Sequence, residues 1–201
     1  MEAIMTRFVY TAATLSIATL LTCAVLPAPT HAADVSGVQV AEQATVDNQP
    51  LVLNGAGLRR KFVFDVYVAA LYATTRTEDA AKLINGPELR RLQLTLKRDI
   101  DSATLTESLN EGLIANNTPD AMAALQDAIE QFKGLMNQGG EGKTGDTITL
   151  DFTPHGVTVS FKGTTLGAVT DPRFGPALMK VWLGKNPAQK SLKKALLGQD
   201  S

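Results

Sequence analysis

Residues 53–72, with the sequence LNGAGLRRKFVFDVYVAALY, are typical of a turn that leads into a buried β-strand. Gly55 and Gly57 allow backbone angles that a side chain forbids, so a tight turn is predicted there. Three cations follow, and a run rich in Phe, Val and Tyr begins at Phe62, which predicts a core strand. A cation at the mouth of such a strand can meet the acidic or carbonyl end of an apolar ligand, or it can be a solvated strand end.

The first 32 residues have the three-part layout of a secretory signal peptide. Arg7 lies in a short basic start, residues 8–26 are almost unbroken apolar, and Thr-His-Ala ends at Ala32, where cleavage is predicted. The alternatives are an uncleaved membrane anchor and lipid attachment at Cys23, and these are the only predicted membrane contacts. Cleavage predicts a periplasmic protein whose single domain spans residues 33–201.

The composition indicates an ordinary globular protein. The chain of 201 residues is 44% apolar and 19% charged, which is enough for one hydrophobic core. Its 19 basic and 20 acidic residues are nearly balanced, with no basic block, which argues against nucleic acid as a partner. Cys23 is the only cysteine, so cleavage would leave no disulfide and no thiol nucleophile.

Apolar spacing beyond residue 72 predicts both helices and strands. Alternation predicts strands in residues 89–97, 148–152 and 157–161, with an edge strand in 34–49. Three- and four-residue spacing predicts helices in residues 78–84, 105–113 and 118–136, and in two C-terminal segments that begin near Gly175 and at Pro187. Strands around a helical block, with helices at the end, give an α+β domain.

Several kinds of active site are excluded by the residues available. His155 is the only histidine of the predicted domain, so a His and Cys cluster that could bind a transition metal is excluded. A Ser-His-Asp triad could use only this histidine, and the sequence has no glycine-flanked nucleophile motif. Gly142-Lys143-Thr144 resembles the end of a phosphate-binding loop, but Asn137 replaces its first glycine and a strand follows. No metal and no cofactor is therefore predicted.

The cations that remain are the candidate ligand-binding groups. Arg59 can bind a carboxylate through two hydrogen bonds or polarise a carbonyl. Arg60 and Lys61 compete for that role, and strand alternation places Arg59 and Lys61 on one face and Arg60 on the other. Asp65 is predicted to be an ion-pair partner rather than a base. For each cation, a solvated surface charge is the alternative.

Three ordered blocks of the sequence resemble the chalcone-isomerase-like family, most closely its small exported bacterial branch. The blocks are LNGAGLRRKFVFDVYVAALY, LKRDIDSATLTESLNEGL and FGPALMKVWLGKNPAQKSLKKALLG, and the resemblance spans Val46 to Gly198. It implies an open-faced β-sandwich, in which a large antiparallel sheet carries a layer of helices on one face. The resemblance also implies a ligand cleft between the two layers.

Plant enzymes of this family close a flavanone ring without a cofactor. The resemblance places their arginine at Arg59, which ends the sequence Gly-Ala-Gly-Leu-Arg, and their helix asparagine at Asn110. Ala103 replaces their tyrosine, and Phe62 and Val181 replace two threonines. One lost donor at a developing oxyanion costs roughly 3 kcal/mol, so these replacements weaken the case for catalysis. Other relatives bind fatty acids through an arginine and a tyrosine, and the resemblance retains only the arginine.

Three functional hypotheses follow. The first is a non-catalytic domain that binds a small amphipathic molecule such as a fatty acid, with Arg59 as its anchor and Asn110, Phe62 and Val181 beside it. The second is an isomerase (intramolecular lyase) for a phenolic or enone substrate, using Arg59 and Asn110. The third is an envelope interaction module with a vestigial cleft, which a filled cavity and a pair between Arg59 and an acidic side chain such as Asp65 would favour.

Overall fold

The structure is a computed structural model that describes residues 31–199 of the chain, with side chains from residue 33. Its strands are β1 (His31–Val35), β2 (Val38–Ala41), β3 (Gln43–Val46), β4 (Gln49–Lys61), β5 (Phe64–Ala73), β6 (Arg90–Leu96), β7 (Thr147–Thr153), β8 (Gly156–Phe161) and β9 (Thr164–Val169). Its helices are α1 (Ala80–Asn85), α2 (Ser102–Asn116), α3 (Pro119–Ala124), α4 (Gln126–Gln138), α5 (Phe174–Leu183) and α6 (Lys190–Leu196). The predicted signal peptide and Cys23 lie outside the described side chains, so export, anchoring and lipid attachment stay predictions.

Seven strands form one antiparallel sheet in which every strand pairs with its neighbours in the chain. The order is β3-β4-β5-β6-β7-β8-β9, and β1 and β2 form a separate hairpin. The chain inserts α1 between β5 and β6 and inserts α2, α3 and α4 between β6 and β7, while α5 and α6 follow β9. One face of the sheet shares a core with the helices. The predicted α+β fold, an antiparallel sheet with a layer of helices, is confirmed.

Strand β5 is buried on both faces. Tyr67 and Leu71 point into the main core shared with the helices. Val68 and Tyr72, on the opposite face, pack in a second core with Val40 of the β1–β2 hairpin. Burial on both faces explains why this strand is apolar almost without interruption, whereas a half-buried strand alternates.

Gly55 and Gly57 lie inside β4, so the predicted tight turn at these glycines is wrong. Both residues face α6, which packs directly across this strand. A Cβ atom at Gly55 would clash with the carbonyl oxygen of Ala195, and one at Gly57 would lie 2.7 Å from the Ala195 Cβ. The glycines are required for the close approach of a helix to the sheet.

The chain turns instead at Phe62 and Val63, which were predicted to begin the core strand. Lys61 pairs with Phe64 across β4 and β5, so the two residues between them form the connection of a hairpin. Their side chains are exposed. The prediction failed because hairpin turns favour Gly, Asn and Asp, whereas Phe and Val are typical of strands.

Four further features of the helices and strands differ from the predictions. Residues 34–49 hold parts of several short strands rather than one edge strand, and β9 was not predicted. The helix predicted over residues 118–136 breaks at Leu125, where the backbone leaves helical geometry (φ −109°, ψ 9°). The last helix begins at Lys190 rather than Pro187.

Candidate functional site

A cavity of about 500 Å³ opens between the β4–β5 hairpin, the loop after β6, and helices α2 and α5. This volume lies within the range of roughly 300–1,000 Å³ that is typical of small-molecule sites. The cavity lies between the sheet and the helix layer, at the place where the family resemblance implied a cleft.

Helix α2 begins at the cavity and provides its apolar wall. Asp101 caps the helix: Oδ1 accepts a hydrogen bond from the Thr104 backbone N–H at 2.8 Å, and Oδ2 accepts one from the Thr104 hydroxyl at 2.7 Å. This cap provides an acceptor for a backbone N–H group that has no partner within the first turn of the helix. Leu105 and Leu109, one turn apart, line the cavity together with Val181 of α5.

Arg59 lies near the end of β4, half-buried, and lines the cavity. Its Nη1 donates to the carbonyl oxygen of Arg60 at 2.5 Å and lies 3.4 Å from Gln189 Oε1. Within residues 31–199, no carboxylate forms an ion pair with it. The guanidinium is therefore held by neutral acceptors and keeps an uncompensated positive charge beside the cavity.

Tyr67 of β5 is the direct cross-strand partner of Arg59 and also lines the cavity. Its hydroxyl oxygen accepts a hydrogen bond from Trp182 Nε1 at 3.0 Å. Burial raises the pKa of Tyr67, and the hydrogen bond from Trp182 and the charge of Arg59 offset part of that rise. The hydroxyl is thus protonated at neutral pH. Its hydrogen has no acceptor in the described part of the chain, so it can donate to a ligand.

A tyrosine therefore lies beside Arg59, although the resemblance retained only the arginine. The resemblance compared residues by their place in the sequence, and the residue it placed at the tyrosine position, Ala103, is exposed on α2. The hairpin brings Tyr67 to the same cavity from a different element. The sequence signal that could have found it is strand pairing: a turn at residues 62–63 puts residue 67 close to opposite residue 59.

The other two cations of the cluster are on the faces that alternation predicted. Lys61 lines the cavity with Arg59, whereas Arg60 points away. The Nε of Arg60 donates to Asp65 Oδ1 at 2.7 Å, so the prediction that Asp65 is an ion-pair partner is confirmed. The features that would favour a vestigial cleft, a filled cavity and a pair between Arg59 and Asp65, are not found among the described residues.

Carboxylates on the cavity rim are bonded to groups other than Arg59. The Lys143 ammonium lies 3.2 Å from Asp99 and 2.8 Å from Glu141. Hydrogen bonds from Thr104 lower the pKa of Asp101, which keeps its carboxylate ionised as the cap of α2. These acids therefore leave the charge of Arg59 available to a ligand.

The remaining predicted site residues have different surroundings. Val181 is buried in the cavity wall, and Phe62 lies exposed at its rim. Asn110 is half-buried on α2 but is not among the residues that line the cavity, whereas Ser108 and Thr104 of the same helix are. Sequence reasoning missed these two hydroxyls. The ligand-binding roles of Arg59, Asn110, Phe62 and Val181 stay predictions.

Two further features concern residues 31–199 alone. No group of three or more His, Cys, Asp or Glu side chains in this part of the chain is arranged to hold a metal ion. No helix within it is both long and apolar enough to cross a membrane.

Comparisons with known proteins identify the fold and the family. None of the curated proteins matches the chain. Among solved structures, the chain is similar to a fatty-acid binding protein of Arabidopsis thaliana, with a TM-score of 0.65 and 16% sequence identity, over 81% of this chain and 92% of that one. At this identity the likeness establishes the fold alone. The sequence model described as chalcone isomerase-like matches residues 32–198. The chain therefore belongs to the chalcone isomerase-like family.

Proposed function

We propose that this protein is a non-catalytic binder of a small amphipathic molecule with a carboxylate head, such as a fatty acid. The observation that carries the proposal is the pairing of Arg59 with Tyr67 at a cavity whose opposite wall is apolar. A cation and a neutral hydroxyl donor side by side match a carboxylate, which accepts hydrogen bonds and carries one negative charge.

Two sides of the cavity contact two different parts of the ligand. The carboxylate accepts hydrogen bonds from the Arg59 guanidinium and the Tyr67 hydroxyl, and a hydrogen bond to a charged group contributes about 1.5–3 kcal/mol. The acyl chain lies against Leu105, Leu109 and Val181, where each buried methylene contributes about 0.8 kcal/mol. The apolar contact supplies affinity, and the paired donors supply selectivity for an acid.

The likeness to a plant fatty-acid binding protein supports this assignment at the level of the fold. We further propose that the protein belongs to the exported bacterial branch of the family and works in the periplasm after removal of residues 1–32. The basic start, the apolar run and the small residues before Ala33 support export.

An isomerase is the alternative, because Arg59 and Tyr67 could also polarise a ketone. Against it stand the apolar residues Phe62 and Val181 at the cavity and the position of Asn110 outside its lining. A panel of chalcones distinguishes the two functions. Ring closure that exceeds the buffer rate and is lost in Arg59→Ala would establish catalysis, and a rate equal to the buffer throughout would support the binder.

Native mass spectrometry of protein purified from its own host tests the proposal. We expect a carboxylic acid to accompany the wild-type protein and Arg60→Ala, and to be lost from Arg59→Ala. Arg60 is the matched control because it is the neighbouring cation and is paired with Asp65 outside the cavity. The proposal would be refuted if the wild-type protein carries no bound acid after purification and does not bind added fatty acids.

A further inference from the structure

The tip of the β4–β5 hairpin exposes three consecutive apolar side chains. Phe62, Val63 and Phe64 are 88%, 81% and 54% exposed, and among the described residues the other large apolar side chain exposed to this degree is Ile114 of α2, at 58%. Scattered single apolar residues are normal on a protein surface, but a contiguous exposed group marks a contact site.

The backbone of the turn is in a conformation that disfavours its residues. Phe62 has a φ of 57°, and Val63 is not in the positive-φ region. A positive φ at the first central residue alone is the φ pattern of a type II′ turn, in which glycine is preferred at that position. A Phe there costs free energy, yet its exposed ring gains almost no burial in return. Such a cost is explained by a role outside the folded core.

Two cations flank this tip. Lys61 precedes it, and the guanidinium of Arg98 stacks over the Phe64 ring at 4.7 Å. Neither cation forms an ion pair within residues 31–199, whereas Arg60 is neutralised by Asp65. An apolar tip flanked by two cations without ion pairs complements an anionic lipid surface, whose headgroups attract Lys and Arg while apolar side chains enter the acyl boundary.

The tip is continuous with the cavity. Phe62, Phe64, Lys61 and Arg98 all line the cavity, whereas Val63 is not among its lining residues. A tip inserted in a bilayer would place the opening of the cavity at the lipid headgroups, where an amphipathic acid resides.

We propose that the Phe62-Val63-Phe64 tip docks on an anionic phospholipid bilayer, so that ligand passes between the membrane and the cavity. The passage of ligand rests on the proposed function, whereas the docking does not. This contact is distinct from the N-terminal anchor or lipid predicted from the sequence. A protein partner or a second copy of the chain is the competing occupant.

Tryptophan fluorescence of the full chain gives a readout that is specific to the tip once the emission of the wild-type protein, which comes from the buried Trp182, is subtracted. Val63→Trp is compared with Ile114→Trp, the exposed apolar control on another surface, in vesicles of phosphatidylcholine with or without phosphatidylglycerol, each carrying brominated acyl chains. We expect anionic vesicles to quench and blue-shift the emission from position 63 but not from position 114, and salt to reverse the effect. Equal behaviour of the two positions overturns the proposal, as does a blue shift without vesicles that accompanies a dimeric mass.

A second pair of variants separates docking from ligand binding. Val63→Asp is expected to weaken the contact of the tip with anionic vesicles about tenfold or more, because it replaces an apolar side chain that would enter the bilayer by a charge that the anionic headgroups repel. Ile114→Asp is expected to leave that contact unchanged. Because Val63 does not line the cavity, fatty-acid affinity measured without vesicles should stay within about twofold. Vesicle binding unaffected by Val63→Asp overturns the docking proposal, whereas vesicle binding by a protein that takes up no acid overturns only the proposed function.

Discussion

Arg59 and Tyr67 stand directly opposite each other on β4 and β5, and both line the same cavity. An irregularity in the register follows at once, since Arg60 pairs with Asp65 and Val66 is left over on β5. Bulges re-aim side chains near the ends of strands. Here the bulge separates a pair that faces the ligand cavity from an ion pair that faces solvent.

The hydroxyl of Tyr67 should contribute to binding of a fatty acid. Replacement by Phe removes one donor to the carboxylate, so we expect affinity to fall about tenfold to 150-fold, as for a loss of about 1.5–3 kcal/mol. Calorimetric titration measures this change on the folded protein. Tyr72→Phe is the matched control, since Tyr72 also loses a hydrogen bond, to the Ala41 carbonyl, but on the opposite face of the strand. Equal losses in the two variants would contradict a contact between Tyr67 and the ligand.

Alkaline pH should destabilise the wild-type protein more than Tyr67→Phe. Burial raises the pKa of Tyr67 above its ordinary value of 10.0. Above about pH 10 the unfolded chain therefore releases this proton before the folded protein does, and the free energy of unfolding falls as pH rises. Urea denaturation at pH 8 and above pH 10 measures both slopes. Identical slopes would show that Tyr67 ionises as readily in the fold as in the unfolded chain.

Packing of α6 against β4 should depend on the absence of a side chain at Gly57. We expect Gly57→Ala to lower the free energy of unfolding by about 1–3 kcal/mol, because the added methyl would meet Ala195 and Leu192. Gly134→Ala is the control, since that glycine lies on the exposed face of α4 with nothing within 4 Å of the new methyl. The control should be neutral or stabilising by up to about 1 kcal/mol. A neutral Gly57→Ala would contradict the close packing.

The general fold could be predicted from the sequence because most helices and strands have local sequence patterns that indicate them. The alternation of Leu92, Leu94 and Leu96 matches the buried face of β6, and Asp101 caps α2 as its side chain and position predict. The hairpin tip could not be predicted, since Phe62 and Val63 have strand-forming side chains in a turn. Their placement is set by the pairing of the whole strands and not by local preference.

The same turn decided how much of the site was predictable. Arg59 was correctly predicted to share a face with Lys61, because alternation within one strand needs no tertiary information. Tyr67 was missed because its nearness to Arg59 depends on where the hairpin reverses. Gly55 and Gly57 were assigned to a turn because glycine serves turns and close packing alike, and only the position of α6 separates the two.

The most direct test compares binding of a saturated fatty acid and of the alcohol of equal chain length by calorimetry, in the wild-type protein, Arg59→Ala and Arg60→Ala. We predict that the wild-type protein and Arg60→Ala prefer the acid, and that Arg59→Ala loses about tenfold to a hundredfold in affinity for the acid while its affinity for the alcohol is nearly unchanged. An acid affinity that is equal in all three proteins, or no binding by the wild-type protein, would contradict the assignment of Arg59 as the carboxylate anchor.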